Sequence, residues 1–412
     1  MQKKTTLLGP FRQLVTMRQL PTKGALSDNS LEIIENAALL LSENTIQEVG
    51  TFDTLHKQHS DAIVQEVTTP TVALPGFIDM HTHICFAGSR AMDFAARNGG
   101  KTYLEIAKEG GGIWSTVNHT RAATTEQLTS LMQQRMTRLL HNGVTTVEVK
   151  SGYGLSPKEE LKLLRAINNA GSDHQIDVVP TCLAAHIVPK DFDGDETKYL
   201  KWILEDLVPV IQKESLCYRF DIFTEQSAFS TTASLKYLNV LKQLGFDLTV
   251  HGDQFTPGGS EVAIKAGALS VDHLEASTEK EIALLANSDV MPVALPGASI
   301  GIGCPFTPAR KLLDAGCGLA IASDWNPGSA PQGDLLTQAA ILASFEKLST
   351  AEVFAAITYR AGIALGRADR GILDNGLQAD IVAFPTDDYR EILYQQGSMK
   401  PSHVWKSGQL IN

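Results

Sequence analysis

Between residues 71 and 323, short apolar runs rich in β-branched residues alternate with longer stretches of helical period, which predicts eight strands in series. The strands fall at 71–80, 143–150, 176–183, 218–223, 246–251, 268–273, 289–295 and 318–323. Helical periodicity fills several of the intervals, at 125–141, 157–170, 231–245 and 259–267. Several strands are nearly continuous apolar runs, as expected when both faces are covered by other layers. Eight such units imply an α/β chain closed into a TIM-like (β/α)8 barrel, in preference to an open doubly wound sheet. The barrel would take about 300 residues, large for this fold but within its range.

The ends have a different texture. Residues 1–65 carry short alternating runs, including 37–41 and 45–49, and no long helix. The tail from Gly376 resumes that style at 379–384, 403–405 and 408–410. Chain termini often lie close together, so the two ends are expected to pair into one small β-sandwich domain. The expected division is 1–68 and 371–412 for the sandwich, and 69–370 for the barrel. No internal repeat, low-complexity tract or long linker interrupts it.

Composition narrows the function. A chain of 412 residues exceeds one ordinary compact domain unless that domain is a large barrel with additions. The formal net charge is −11 and the basic residues are scattered, so the Lys/Arg footprint that nucleic acid requires is missing. No run of about eighteen apolar residues occurs, and no membrane partner is expected. Residues 1–13 mix Lys3, Lys4, Pro10 and Arg12 with short apolar steps, unlike the continuous core of a secretory signal. The five cysteines, Cys85, Cys182, Cys217, Cys304 and Cys317, are widely spaced and form no C-x-x-C pair. They read as reduced thiols of a cytoplasmic protein.

The chemistry concentrates at strand ends. Leu74-Pro75-Gly76-Phe77-Ile78-Asp79-Met80-His81-Thr82-His83 closes the first barrel strand, and residues two apart on a strand share a face. His81 and His83 can therefore reach one ion at the end of the barrel where such enzymes place their chemistry. Asp79, on the same face, is expected to orient a ligand. Three later strands end in His251, His273 and Asp324. One such residue alone is commonly a hydrogen-bonded structural group, but several at successive strand ends converge on one mouth. His81, His83, His251 and Asp324 make a nitrogen-rich set with one carboxylate, suited to zinc or iron. A metal with an open position supplies hydroxide at neutral pH. Asp324 could then move the nucleophile's proton, and His273 could polarise a carbonyl. That is hydrolysis of an amide-like or amidine-like C–N bond, with the substrate open.

Longer strings carry a resemblance. The run Pro75–His83 with His251, His273 and Asp324 resembles the amidohydrolase superfamily. Four strings look like its members that open an imidazolone ring in histidine breakdown: Phe86-Ala87-Gly88-Ser89-Arg90, Gly110-Gly111-Gly112-Ile113-Trp114-Ser115-Thr116, Val147-Glu148-Val149-Lys150-Ser151-Gly152-Tyr153-Gly154 and Ser323-Asp324-Trp325-Asn326-Pro327-Gly328-Ser329. The resemblance covers nearly the whole chain. It implies one divalent or trivalent zinc or iron ion on His81, His83, His251 and Asp324. It implies substrate contacts from Arg90, Tyr153, His186, Gln254, Asn326, Gly328 and Ser329, and a homodimer. A propanoate wants a cation such as Arg90, and a polar ring wants Tyr153 and His186. Some members have glutamate where Gln254 stands. An amide cannot act as a base, so Asp253 or His273 would have to take any proton-transfer role at that position.

Other signals lead elsewhere. Gly297-Ala298-Ser299-Ile300-Gly301 fits the G-x-S-x-G serine-hydrolase pattern, yet Gly301, Gly303, Pro305 and Pro308 argue against the helix that motif needs. Gly110–Gly112 lacks the Lys-Ser/Thr of a phosphate loop and is expected to be a loop near the active site. Lys150 at a strand end raises a carbamate bridging two metals, which a second metal equivalent per chain would reveal. Another cyclic amide, an aminohydrolase substrate, or a ligand-free scaffold role are the rival functions.

Overall fold

The run expected as one strand at 71–80 is two strands in two different sheets. Val72–Pro75 pairs with Thr5–Val15 and Ile381–Phe384, while Phe77–Asp79 pairs with Val144–Lys150. Gly76 makes the crossing, because a Cβ there would stand 2.4 Å from Thr145 Oγ1. These facts come from a computed structural model that describes residues 5–411, apart from the side chains of residues 103, 104 and 107. Residues 1–4 and 412, assigned above to the sandwich, lie outside the described residues.

The barrel strands are β1 (Phe77–Asp79), β2 (Val144–Lys150), β3 (Asp177–Ala185), β4 (Arg219–Thr224), β5 (Asp247–Gly252), β6 (Ser270–His273), β7 (Met291–Ala294) and β8 (Ala320–Ile321). They pair in parallel in sequence order. The ring closes beyond β8: Thr82 bridges Trp325, Asp324 N–H donates to His81 O at 3.0 Å, and His83 N–H to Trp325 O at 2.9 Å. Closure thus falls on the predicted ligands themselves.

The strands are buried on both faces, but the barrel interior is not uniformly apolar. On β2, β4, β5 and β6, Val147, Val149, Phe220, Ile222, Leu248, Val250 and Val271 join the main apolar core. Their alternates Glu148, Lys150, Arg219, Asp221, Thr249, His251, Ser270 and Asp272 are also buried and bond to one another across strands. A period of two inside continuous burial separates a hydrocarbon jacket from a polar axis. Each jacket side chain contributes about 1.5–3 kcal/mol.

The helices are cut by their own caps. Thr124 accepts from Gln127 N–H in a capping box at the start of Thr125–His141, and Ser156 caps Pro157–Ser172 with proline at the first turn. Three helices not foreseen from periodicity, Ala91–Asn98, Tyr103–Lys108 and Ile113–Ala122, lie between β1 and β2. The glycines at 110–112 form a turn before the last of them, the loop expected there, and Trp114-Ser115-Thr116 lies in the helix that follows.

Both ends of the chain build the second sheet. Its order is Gln409–Leu410, His403–Lys406, Ile381–Phe384, Val72–Pro75, Thr5–Val15, Ile33–Ser42 and Thr45–Thr51, with Ile63–Glu66 also on Thr5–Val15. The sheet curls until Thr45 bridges Gln378, enclosing a separate core around Phe11, Leu39, Ile381 and Trp405. Asp177 of β3 ties it to the barrel through Lys406 Nζ, at 2.7 Å, and Arg370. All five cysteines are unpaired, and among the described residues no helix is long and apolar enough to cross a membrane.

Candidate metal centre

Four of the predicted ligands meet at one point on the barrel axis. His81 Nε2 is 3.2 Å from His83 Nε2, which is 3.4 Å from His251 Nε2. Asp324 Oδ1 stands 3.4 Å from His83 Nε2 and 3.6 Å from His81 Nε2. None of these side chains is more than 4% exposed. Asp324 reaches the cluster from a left-handed backbone, φ 50°, a strain of about 1–3 kcal/mol that the closing hydrogen bonds hold in place.

The donor set fits a metal cation. His81 Nδ1 lies 2.6 Å from Asp272 Oδ2 and His251 Nδ1 lies 2.8 Å from Asp221 Oδ2. Asp272 hydrogen-bonds Nδ1 of His81, so its Nε2 turns a lone pair toward the common point, and the Asp221 carboxylate beside Nδ1 of His251 favours the same tautomer there. Lone pairs converging without a cation repel. The buried Nδ1 of His83 has no hydrogen-bond partner, and the Nε2 atom opposite it looks into the same point. Burial keeps the rings neutral, as metal binding requires. It pushes His83 down to about 3 and His251 to about 4, and lowers His81 as well. Burial also raises the Asp324 carboxyl, against the pull of His273 and His251.

His273 joins the cluster from β6, its ring centroid 5.3 Å from that of His251, with φ 91°. Its Nδ1 is 3.4 Å from Glu275 Oε1. Burial opposes its charged form, but Glu275, Asp324 and Asp272 outweigh burial and leave its pKa raised. Among these neighbours, His273 is therefore the imidazole most able to keep a proton.

The remaining predicted residues divide between those facing the cluster and those building its walls. The His186 ring stacks on His83 at 5.7 Å, and Tyr153 lies 5.7 Å from His186 and 6.0 Å from His83. Arg90 gives Nε to Asp93 at 2.7 Å, and its Nη1 lies so close over Gly328 that a Cβ there would stand 2.6 Å away. Asn326 is spent on its own loop: Oδ1 accepts from Gly328 and Ser329 N–H at 2.8 Å, and Nδ2 donates to Asp324 O and Ser329 Oγ. Ser329 Oγ comes within 3.4 Å of Asp324 Oδ2. Gln254 is half-buried just past His251.

Several expectations change. Asp79 accepts from Ser323 N–H at 2.9 Å and Oγ at 2.5 Å; it fastens β1 to the segment bearing Asp324, and Asp272 and Asp221 back the histidines. Asp253 receives Gly258, Gly259 and Ser260 N–H and the Ser260 and Ser277 hydroxyls, which occupies the lone pairs a base would need. Lys150 Nζ sits 2.8 Å from both Glu148 and Asp221, and these carboxylates outweigh burial to hold its pKa above the usual value. A carbamate there would add an anion among anions. Ser299 does lie in a helix, Pro296–Ile302, but in its middle and not at a strand-to-helix turn. Gly301 serves contact, since a Cβ would stand 1.5 Å from Ser329 O.

Asp221, Asp272 and Glu275 went unnoticed in the sequence. The signal was present for the first, because Phe220-Asp221-Ile222 places an acid in the middle of an apolar strand.

The amidohydrolase family profile matches residues 72–411. The chain is 37% identical over 410 residues to the imidazolonepropionase of Bacillus cytotoxicus, covering 98% of this chain and 96% of that one. It is 33% identical over 414 residues to that of Clostridium tetani, covering 100% and 99%. Among solved structures, the zinc complex of an Arthrobacter aurescens atrazine chlorohydrolase superposes with TM-score 0.69 at 16% identity, covering 98% of this chain and 94% of that one. A guanine deaminase from C. acetobutylicum gives TM-score 0.69 at 16% identity, covering 99% and 100%. These two share the fold.

Proposed function

We propose, on the premise that this chain belongs to the amidohydrolase family and to its imidazolonepropionase branch, that it hydrolyses 4-imidazolone-5-propanoate to N-formimino-L-glutamate in histidine degradation. The observation that carries the mechanism is the convergence of His81, His83, His251 and Asp324 at the barrel mouth, with three imidazoles held neutral.

These four residues hold one divalent or trivalent ion, zinc or iron. When bound, such an ion acidifies water toward neutrality and polarises a carbonyl. Asp324 takes the proton that the attacking water loses. Water oxygen bonds to the ring carbonyl carbon, the C–N bond breaks, and Asp324 returns the proton to the freed nitrogen. His273, held protonated by Glu275, donates to the carbonyl oxygen as negative charge develops there. Arg90, held by Asp93, pairs with the propanoate. Tyr153 and His186 face the ring; Gln254, Gly328 and Ser329 complete the wall, and Asn326 fixes the loop that carries the last two.

We further read the enzyme as a cytoplasmic homodimer; the unpaired cysteines fit a reducing compartment. The decisive experiment follows the ultraviolet loss of imidazolone propanoate with purified protein, before and after chelation. Turnover that falls with verified metal removal and returns on reloading is expected. No turnover by fully metallated protein overturns the substrate, and undiminished turnover by stripped protein overturns the metal.

A further inference from the structure

Behind the histidines lies a second group with the spacing of metal ligands. Asp221, His251 and Asp272 place ligand atoms within 4.8 Å of one another, fully buried. A cation of the chain's own already stands there. Lys150 Nζ is 2.8 Å from Asp221 Oδ2, 2.8 Å from Glu148 Oε2 and 3.7 Å from Asp272 Oδ2, with all four side chains at 0% exposure. Asp221 and Asp272 are the carboxylates that face Nδ1 of His251 and His81. Glu148 is held from the far side by Thr181 Oγ1, at 2.6 Å, and by Arg219 Nε, at 3.3 Å.

We propose that Lys150 is a positioning residue for the metal centre: its ammonium takes the place of a second cation and clamps the two carboxylates that aim His81 and His251. This rests on the metal reading above. Two carboxylates packed together without water repel one another unless a cation lies between them. Lys150 provides that cation from β2, and Glu148 on the same strand face seats it. One ammonium within reach of both carboxylates couples two histidines from different strands into a single unit. The position is also closed to a second metal, so the chain is expected to bind one equivalent.

The test is cobalt(II) binding to stripped protein, read by chelator competition and by the visible d–d bands. Lys150→Met should keep the far-ultraviolet circular dichroism, bind cobalt about 10- to 100-fold more weakly, and shift the bands as ligand geometry relaxes. Combined with Asp272→Asn, its loss should be less than additive, because both changes act on His81. A merely structural lysine would lower the thermal midpoint of the apoprotein and leave affinity and bands of the folded protein as they were; that result overturns the proposal. Should Lys150→Met not fold, Glu148→Gln, which unseats the ammonium from the side away from the histidines, must weaken cobalt binding several-fold. Unchanged affinity there also overturns it. Wild-type protein that takes up no cobalt removes the metal reading itself, whereas equal uptake by wild type and variant removes only the role of Lys150.

Discussion

Asp272 Oδ2 and His81 Nδ1 stand 2.6 Å apart inside the barrel, although 191 positions separate them in the chain and neither is exposed. This contact decides which nitrogen of His81 is free for an ion. Asp272→Asn keeps the shape but lets either side of the amide face the ring. The apparent dissociation constant for zinc should rise about 10- to 100-fold, measured by competition with a chromophoric chelator.

His273 lies beside the four converging groups, with Glu275 Oε1 3.4 Å from its Nδ1. His273→Asn should lower kcat about 10²- to 10³-fold while elemental analysis finds the ion retained. Loss of the ion would make His273 a ligand.

Glu275 raises the pKa of His273, so its removal lowers that value. The protonated imidazole then disappears at lower pH. In a kcat/KM profile, Glu275→Gln should move the alkaline limb to lower pH; a limb that stays in place removes Glu275 from this role.

Arg90 stands over Gly328 with no room for a methyl group between them. Arg90→Ala should raise KM about 10- to 100-fold, the worth of a charge-assisted pair to a carboxylate. Gly328→Ala, which pushes the guanidinium aside, should raise KM in the same direction with kcat less affected. An unchanged KM in Arg90→Ala would take this residue out of the site.

Asp177 fastens the terminal sheet to β3. Partial burial works against its charge, but Lys406 and Arg370 outweigh it and hold the carboxyl below its usual value. A depressed folded-state pKa contributes stability above the unfolded value, about 3.9, and loses it as pH falls through the folded value. Asp177→Asn should therefore cost about 1 kcal/mol in urea unfolding near pH 7, small because the side chain is 41% exposed. The difference from wild type should shrink as pH approaches 3.

Much of this was legible along the chain. The strand–helix rhythm predicts the barrel, and strand ends mark His81, His83, His251, His273 and Asp324, because a parallel strand in a barrel points its last residues at one mouth. The crossing at Gly76 was not legible, since Val72 to Asp79 has the same apolar texture in both sheets. Three helices between β1 and β2 were likewise hidden, being short and mixed in pattern.

The sequence by itself determined the residue types at the strand ends and hence a cation-binding mouth. Only the tertiary structure decided their partners. Asp79 reaches Ser323 and not a histidine ring, Asp272 reaches His81, and Lys150 lies within 4 Å of Glu148, Asp221 and Asp272. The physical reason is closure: strands distant in the chain become neighbours across the barrel axis, and contacts there depend on register and stagger, which no local pattern carries.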